Sequence, residues 1–138
     1  MINSIYVGSQ TVVANTGNVL FTSDRVRTPS CMGCNSYLYH ENGSSQFTLT
    51  QGGVYKISYN ANVTSATVGA ATLAIKANGE AIIGSDSTYT VATADAVGNV
   101  SANIRVKVPC NTSLTISLGN ISANDLIVTD PNIVIERA

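Results

Sequence analysis

Apolar and polar side chains alternate with a period of two through most of this chain, and helical periodicity is absent. Between Val54 and Asn62, the residues Tyr55, Ile57, Tyr59 and Ala61 interleave with Lys56, Ser58, Asn60 and Asn62. Successive side chains of a strand point to opposite faces of a sheet, so this segment predicts a strand with one apolar and one polar face. Val100–Val108 sets Ala102, Ile104, Val106 and Val108 against Asn103, Arg105 and Lys107, and Ser113–Leu118 sets Leu114, Ile116 and Leu118 against Thr115 and Ser117. Further strands are predicted at Ser4–Val7, Thr11–Ala14, Val19–Thr22, Tyr37–His40, Gln46–Thr50, Ala71–Asn78, Ala81–Gly84 and Ile133–Arg137. Asn42-Gly43 marks a turn between two of them. Asn78-Gly79 favours the positive φ angles of a type I′ hairpin, which pairs Ala81–Gly84 back on Ala71–Asn78. The segment Gly84–Gly98 is rich in Ser, Thr, Ala and Asp, is the least patterned, and reads as a long surface loop.

Short strands at regular spacing predict an all-β fold, an antiparallel sandwich, jelly roll or barrel. The 138 residues fit one domain spanning 1–138, with 1–14 as an N-terminal arm or first strand. Charged residues make up 11% and nearly cancel, at net −1. Nothing in that balance attracts nucleic acid or an anionic membrane, and no run is long enough to span a bilayer. The first residues lack a basic and then apolar leader, so synthesis in a cytoplasm is the expectation. Asn-X-Ser/Thr triplets at Asn42, Asn62 and Asn111 are then accidents of an Asn- and Ser-rich composition.

Candidate chemistry is thin. Cys31-Met32-Gly33-Cys34 is the sharpest local motif. Three readings stay open for it: reduced thiols in a loop, a disulfide or intersubunit link, or a metal site completed by His40 or Cys110. The spacing from Cys34 to His40 matches no zinc-finger pattern. His40 is the sole histidine, and at a strand end it reads as a surface residue rather than as the base of a Cys/His dyad. Asp86, Asp95, Asp125 and Asp130 are scattered. Asp125 and Asp130 are calcium candidates, but solvated turn residues are the simpler reading. No nucleophile elbow, phosphate loop, metalloprotease helix or dinucleotide fingerprint is present. The expectation is a protein that is not an enzyme and needs no cofactor.

Three places together resemble the jelly roll of tumour necrosis factor and the globular heads of complement-type proteins. They are GVYKISYNANV, the hairpin ATLAIKANGEAI, and the closing pair VPCNTSLTISLGN and NIVIERA. Bacterial versions cap collagen-like spore-surface glycoproteins. A nearer likeness is to small head-fibre or capsid-decoration proteins of phages of Gram-positive gut bacteria, carried by SQTVVANTGNVLFTSDRVRT and the Cys-rich turn after it. Unlike the spore proteins, this chain has no collagen repeats.

The resemblance implies a TNF-like homotrimer. With Tyr55, Ile57 and Tyr59 in the core, Lys56, Ser58 and Asn60 face neighbouring subunits, where Lys56 needs an acidic or carbonyl partner. The alternative is that these three face water in a monomer. Arg25 and Arg27 flank Val26 and, on a regular strand, share one face. They are the candidate contacts to an acidic major capsid protein, or else ordinary solvated charges. The implied function is a non-enzymatic virion structural protein, made in the host cytoplasm and placed on the virion surface. The competing function is a carbohydrate or host-receptor module using Gly84–Gly98, whose one aromatic is Tyr89. A cupin-like enzyme needs clustered histidines, which this chain lacks.

Overall fold

The computed structural model describes residues 1–27 and 38–137. Among these, twelve strands are formed and no helix: β1 (Ile2–Ile5), β2 (Ser9–Val12), β3 (Ser23–Arg27), β4 (Leu38–Tyr39), β5 (Phe47–Leu49), β6 (Gly53–Thr64), β7 (Gly69–Ala77), β8 (Glu80–Ala81), β9 (Ser87–Val91), β10 (Gly98–Val108), β11 (Leu114–Asn120) and β12 (Leu126–Arg137). They build two antiparallel sheets. Sheet A runs β10-β6-β12-β1-β3, with β2 also on β12. Sheet B runs β4-β5-β11-β7-β8, with β9 also on β7.

The alternation fixes which face is inside. Tyr55, Ile57, Tyr59, Ala61 and Val63 of β6 are buried against Leu73 and Ile75 of β7 and Ile116 and Leu118 of β11. Each fully buried aliphatic side chain contributes about 2 kcal/mol, so a one-residue slip of either sheet is excluded by the loss of a whole face. Phe21 and Phe47 meet edge to face at 5.5 Å and close one end of the core. Tyr59 bridges the two sheets: its hydroxyl lies 2.7 Å from the Ser85 carbonyl and 3.0 Å from the Leu73 carbonyl. Burial, reinforced by the Asp86 carboxylate, pushes the Tyr59 phenol well above its ordinary pKa.

Asn78 and Gly79 have φ of 51° and 88°, the type I′ hairpin expected for that pair. Other predicted elements shift. The predicted strand Val19–Thr22 is absent. Val19 and Phe21 do point inward, but the segment forms no continuous ladder: a bridge joins Asn18 to Gly119, Val19 N–H donates to the Leu118 carbonyl, Phe21 bonds to Gly43 and Ser44, and Thr22 N–H donates to the Ile5 carbonyl. The Gln10 side chain takes the place of a strand neighbour. Its amide accepts from Leu20 N–H at 2.8 Å and donates to the Leu20 carbonyl at 3.0 Å. The segment read as the loop Gly84–Gly98 contains β9, which pairs with Gly69–Leu73 of β7 and carries a Thr72–Thr88 hydroxyl contact of 2.8 Å. The last strand begins at Leu126 rather than Ile133. It continues through a register shift at Asp130-Pro131, where Asp130 has φ 49° and Pro131 has no N–H to donate. Residues 1–14 hold β1 and β2, stacked end to end on the same side of β12.

Candidate functional site

The outward face of sheet A follows from the register. Lys56 stands opposite Arg105 of β10 on one side and Glu136 of β12 on the other. The next row is Asn103, Ser58, Val134 and Asn3, and the one after is Ser101, Asn60 and Asn132. Lys56 and Ser58 are half-buried and Asn60 is exposed. All three turn away from the core, as the alternation predicts. This face is largely an amide and hydroxyl surface: Asn3 hydrogen-bonds Asn132, and Asn99 donates to Asn62 at 3.2 Å. Its one dense charge feature is basic, since Arg105 and Lys107 are exposed beside Lys56.

At the opposite edge of the sheet, β3 is bulged. Ser4 pairs with Asp24 and Asn3 with Val26, so Arg25 is the extra residue. Arg27 therefore falls on the side of Asp24, and Arg25 and Arg27 are not related as alternate residues of a regular strand. Arg25 is exposed. Arg27 is partly committed, its Nη1 donating to the His40 carbonyl at 3.2 Å and meeting Asp24 at 3.4 Å.

His40 is not a surface residue: it is 2% exposed. Its Nδ1 lies 2.8 Å from Asp24 Oδ1 and its Nε2 lies 3.0 Å from the Ser44 carbonyl. The ring stacks on Phe47 at 4.2 Å. Ser4, fully buried, places its Oγ 2.8 Å from the same Asp24 oxygen. A serine, a histidine and an aspartate thus meet, but not as a catalytic triad. In a triad the second histidine nitrogen faces a nucleophilic oxygen; here it faces a backbone carbonyl, and the serine sits on the carboxylate instead. Both ring nitrogens face acceptors, so the arrangement is fully satisfied when both donate. Its role is to pin residues 40–47 to β1 and β3. Asp24, the hub of the cluster, has no local sequence signal, because its partners lie far along the chain.

Cys31 and Cys34, the proposed motif, lie outside the described residues, as does Tyr37. Cys110 is exposed and free. Among the described residues no group of three or more His, Cys, Asp or Glu side chains is placed to hold a metal. The calcium candidates serve as loop pins: Asp125 accepts from Ala14 N–H at 2.8 Å and Asp130 from Gly8 N–H at 2.9 Å. Tyr89 is half-buried, with its ring lying where a Cβ on Gly98 would fall, so it is not an open platform for a sugar.

The overall fold matches known structures. The chain is similar to the Eiger TNF of S. frugiperda at 6% identity and TM-score 0.67, over 99% of this chain and 92% of that one. The fold is a TNF-like jelly roll. It is also similar to murine APRIL crystallised at pH 5.0, at 8% identity and TM-score 0.58, over 96% of this chain and 97% of that one. Neither a protein-family model nor a curated protein sequence matches the chain. At such identities the likeness establishes the fold and leaves function to the surfaces.

Proposed function

We propose that the chain is a non-enzymatic assembly protein that acts as a homotrimer on the surface of a bacteriophage head. The observation that carries this reading is the open side of the sandwich. Ala102, Ile104 and Val106 of β10 and Tyr89 of β9 pack on the core yet stay half-exposed. The first three lie on β10 itself, an 11-residue strand that among the described residues pairs with β6 alone. Its far edge carries no strand ladder, only a bond such as Ser101 N–H to Ser87 Oγ at 3.2 Å, and a long edge of this kind beside an apolar strip favours association. Closing that strip on the outward face of sheet A of another copy is a head-to-tail contact, and such contacts form a ring when their rotation closes. A ring of three is what the resemblance to tumour necrosis factor implies, and it puts Lys56, Ser58 and Asn60 at the contact.

The virion role rests on the resemblance to phage decoration proteins. Geometry adds that the buried histidine is tied on both nitrogens, which supports a binding rather than a catalytic role. A trimer on a symmetric shell binds through many weak contacts at once, with exposed Arg25 as a contact to an acidic capsid surface. The test is mass by light scattering, then cosedimentation with heads lacking this protein. A trimer that pellets with heads supports the reading. A monomer that ignores heads overturns it and moves the chain to glycan-binding assays.

A further inference from the structure

The outward face of sheet B carries a feature that neither the trimer nor the capsid reading uses. Ile83, between β8 and β9, is 99% exposed. It stands on the rim of a pocket of about 180 Å³ lined by Ala74, Ala81, Ile82, Ile83, Ile121 and Asp86. The floor is low because Ala74 and Ala81 are small. The stem of Lys76 crosses the space a Gly119 Cβ would take, with Lys76 Cε 2.3 Å from that position. Lys76 is in register with Ala81, beside the pocket, and is only 8% exposed. Among the described residues it makes no hydrogen bond and no ion pair. The buried part is the stem; the ammonium keeps contact with solvent and stands beside the pocket as a cation with no anion paired to it among the described residues.

The patch therefore calls for an occupant that brings a branched aliphatic side chain and a carboxylate close together. The turn at the pocket rim carries that pair itself, as Ile83 and Asp86. We infer that two copies of the chain dock through this face across a two-fold axis, each Ile83 filling the other's pocket and each Asp86 meeting the other's Lys76. A two-fold contact requires a patch complementary to itself. A knob beside a hole, flanked by one positive and one negative residue, meets that requirement. The patch is on the outward face of sheet B, whereas the proposed trimer contact uses the open side of the sandwich and the outward face of sheet A, so on that reading trimers pair into hexamers.

The experiment is sedimentation velocity across a wide concentration range on the wild type, Ile83→Asp, Lys76→Glu and the charge swap Lys76→Glu with Asp86→Lys. Ile83 touches almost nothing in the fold, so Ile83→Asp keeps the wild-type circular dichroism and melting point. The expected result is a wild-type mass twice that of Ile83→Asp, a halved mass for Lys76→Glu, and the doubled mass regained in the swap. A wild type no heavier than Ile83→Asp at every concentration overturns the inference, as does a doubled mass that Ile83→Asp leaves unchanged. A trimer that never doubles overturns this contact alone. A dimer in place of a hexamer keeps this contact and overturns the trimer.

Discussion

His40 Nδ1 lies 2.8 Å from Asp24 Oδ1, across the gap between the edge strand of sheet A and the segment that leads into sheet B. The same oxygen is in hydrogen-bond reach of Ser4, and the far ring nitrogen meets the Ser44 carbonyl. Removing Asp24 leaves His40 Nδ1 buried without a partner, while His40 Nε2 keeps the Ser44 carbonyl and Ser4 Oγ keeps the Ser23 carbonyl at 3.1 Å. Asp24→Ala is expected to cost about 1–3 kcal/mol, because it leaves a buried imidazole nitrogen without its partner. The replacement of both partners, Asp24→Leu with His40→Phe, is expected to cost less than the sum of the single changes. Urea denaturation of the single and double variants gives the coupling energy. Additive losses remove the account of this cluster as one unit.

Tyr59 gives a pH prediction. Burial first and the Asp86 charge second raise its folded-state pKa above that of an unfolded tyrosine, about 10. The neutral phenol is the form the fold retains. Its contribution is fully present below pH about 10 and is lost as pH rises toward the folded-state value. The wild type is therefore expected to lose stability above about pH 10 more steeply than Tyr59→Phe. At neutral pH, Tyr59→Phe is expected to be weaker by about 1–2 kcal/mol, since the Ser85 and Leu73 carbonyls lose their donor. Denaturant melts at several pH values decide this. Parallel pH profiles for the two proteins sink it.

Gln10 explains one disagreement between pattern and fold. Val19 and Phe21 alternate as in a strand, yet the neighbour of Leu20 is a side-chain amide, which no hydropathy pattern registers. Gln10→Ala is expected to cost about 1 kcal/mol, as both bonds are near the surface and water replaces them in part. Gln10→Glu is expected to fall at least as low, since its carboxylate still accepts from Leu20 N–H but repels the Leu20 carbonyl. Thermal melts of the two variants test this. Equal melting points for all three proteins would mean that the amide bonds contribute nothing.

Where each inward position is apolar and each outward one polar, the strands were legible residue by residue, as in β6, β10 and the Asn78-Gly79 hairpin. The strand β9 was not, because Ser87, Thr88 and Thr90 make both its faces polar and only Tyr89 and Val91 mark the inside. The start of β12 was hidden by Asp130-Pro131, which reads as a break although the chain bulges and continues. The faces of sheet A were legible from alternation alone. The burial of His40 was not, since its partner Asp24 lies sixteen residues away in sequence. A bulge also undid the shared face expected for Arg25 and Arg27, and one inserted residue leaves no trace in composition.

Lys56 and Arg105 are direct cross-strand neighbours on the outward face of sheet A. Like charges directly opposite are destabilising, by up to about 1 kcal/mol. Glu136, in register with Lys56 on the other side, offsets part of this for Lys56, while Arg105 sits on β10, which among the described residues pairs with β6 alone. Salt screens such exposed repulsion. The wild type is therefore expected to gain melting temperature as salt is added, and Arg105→Glu to melt higher at low salt and to gain less. If this face also receives another copy, the same substitution changes the assembled mass while the fold becomes more stable. A purely structural role for Arg105 predicts instead that stability and mass fall together. Calorimetry at two salt concentrations, with light scattering on the same samples, separates the two outcomes.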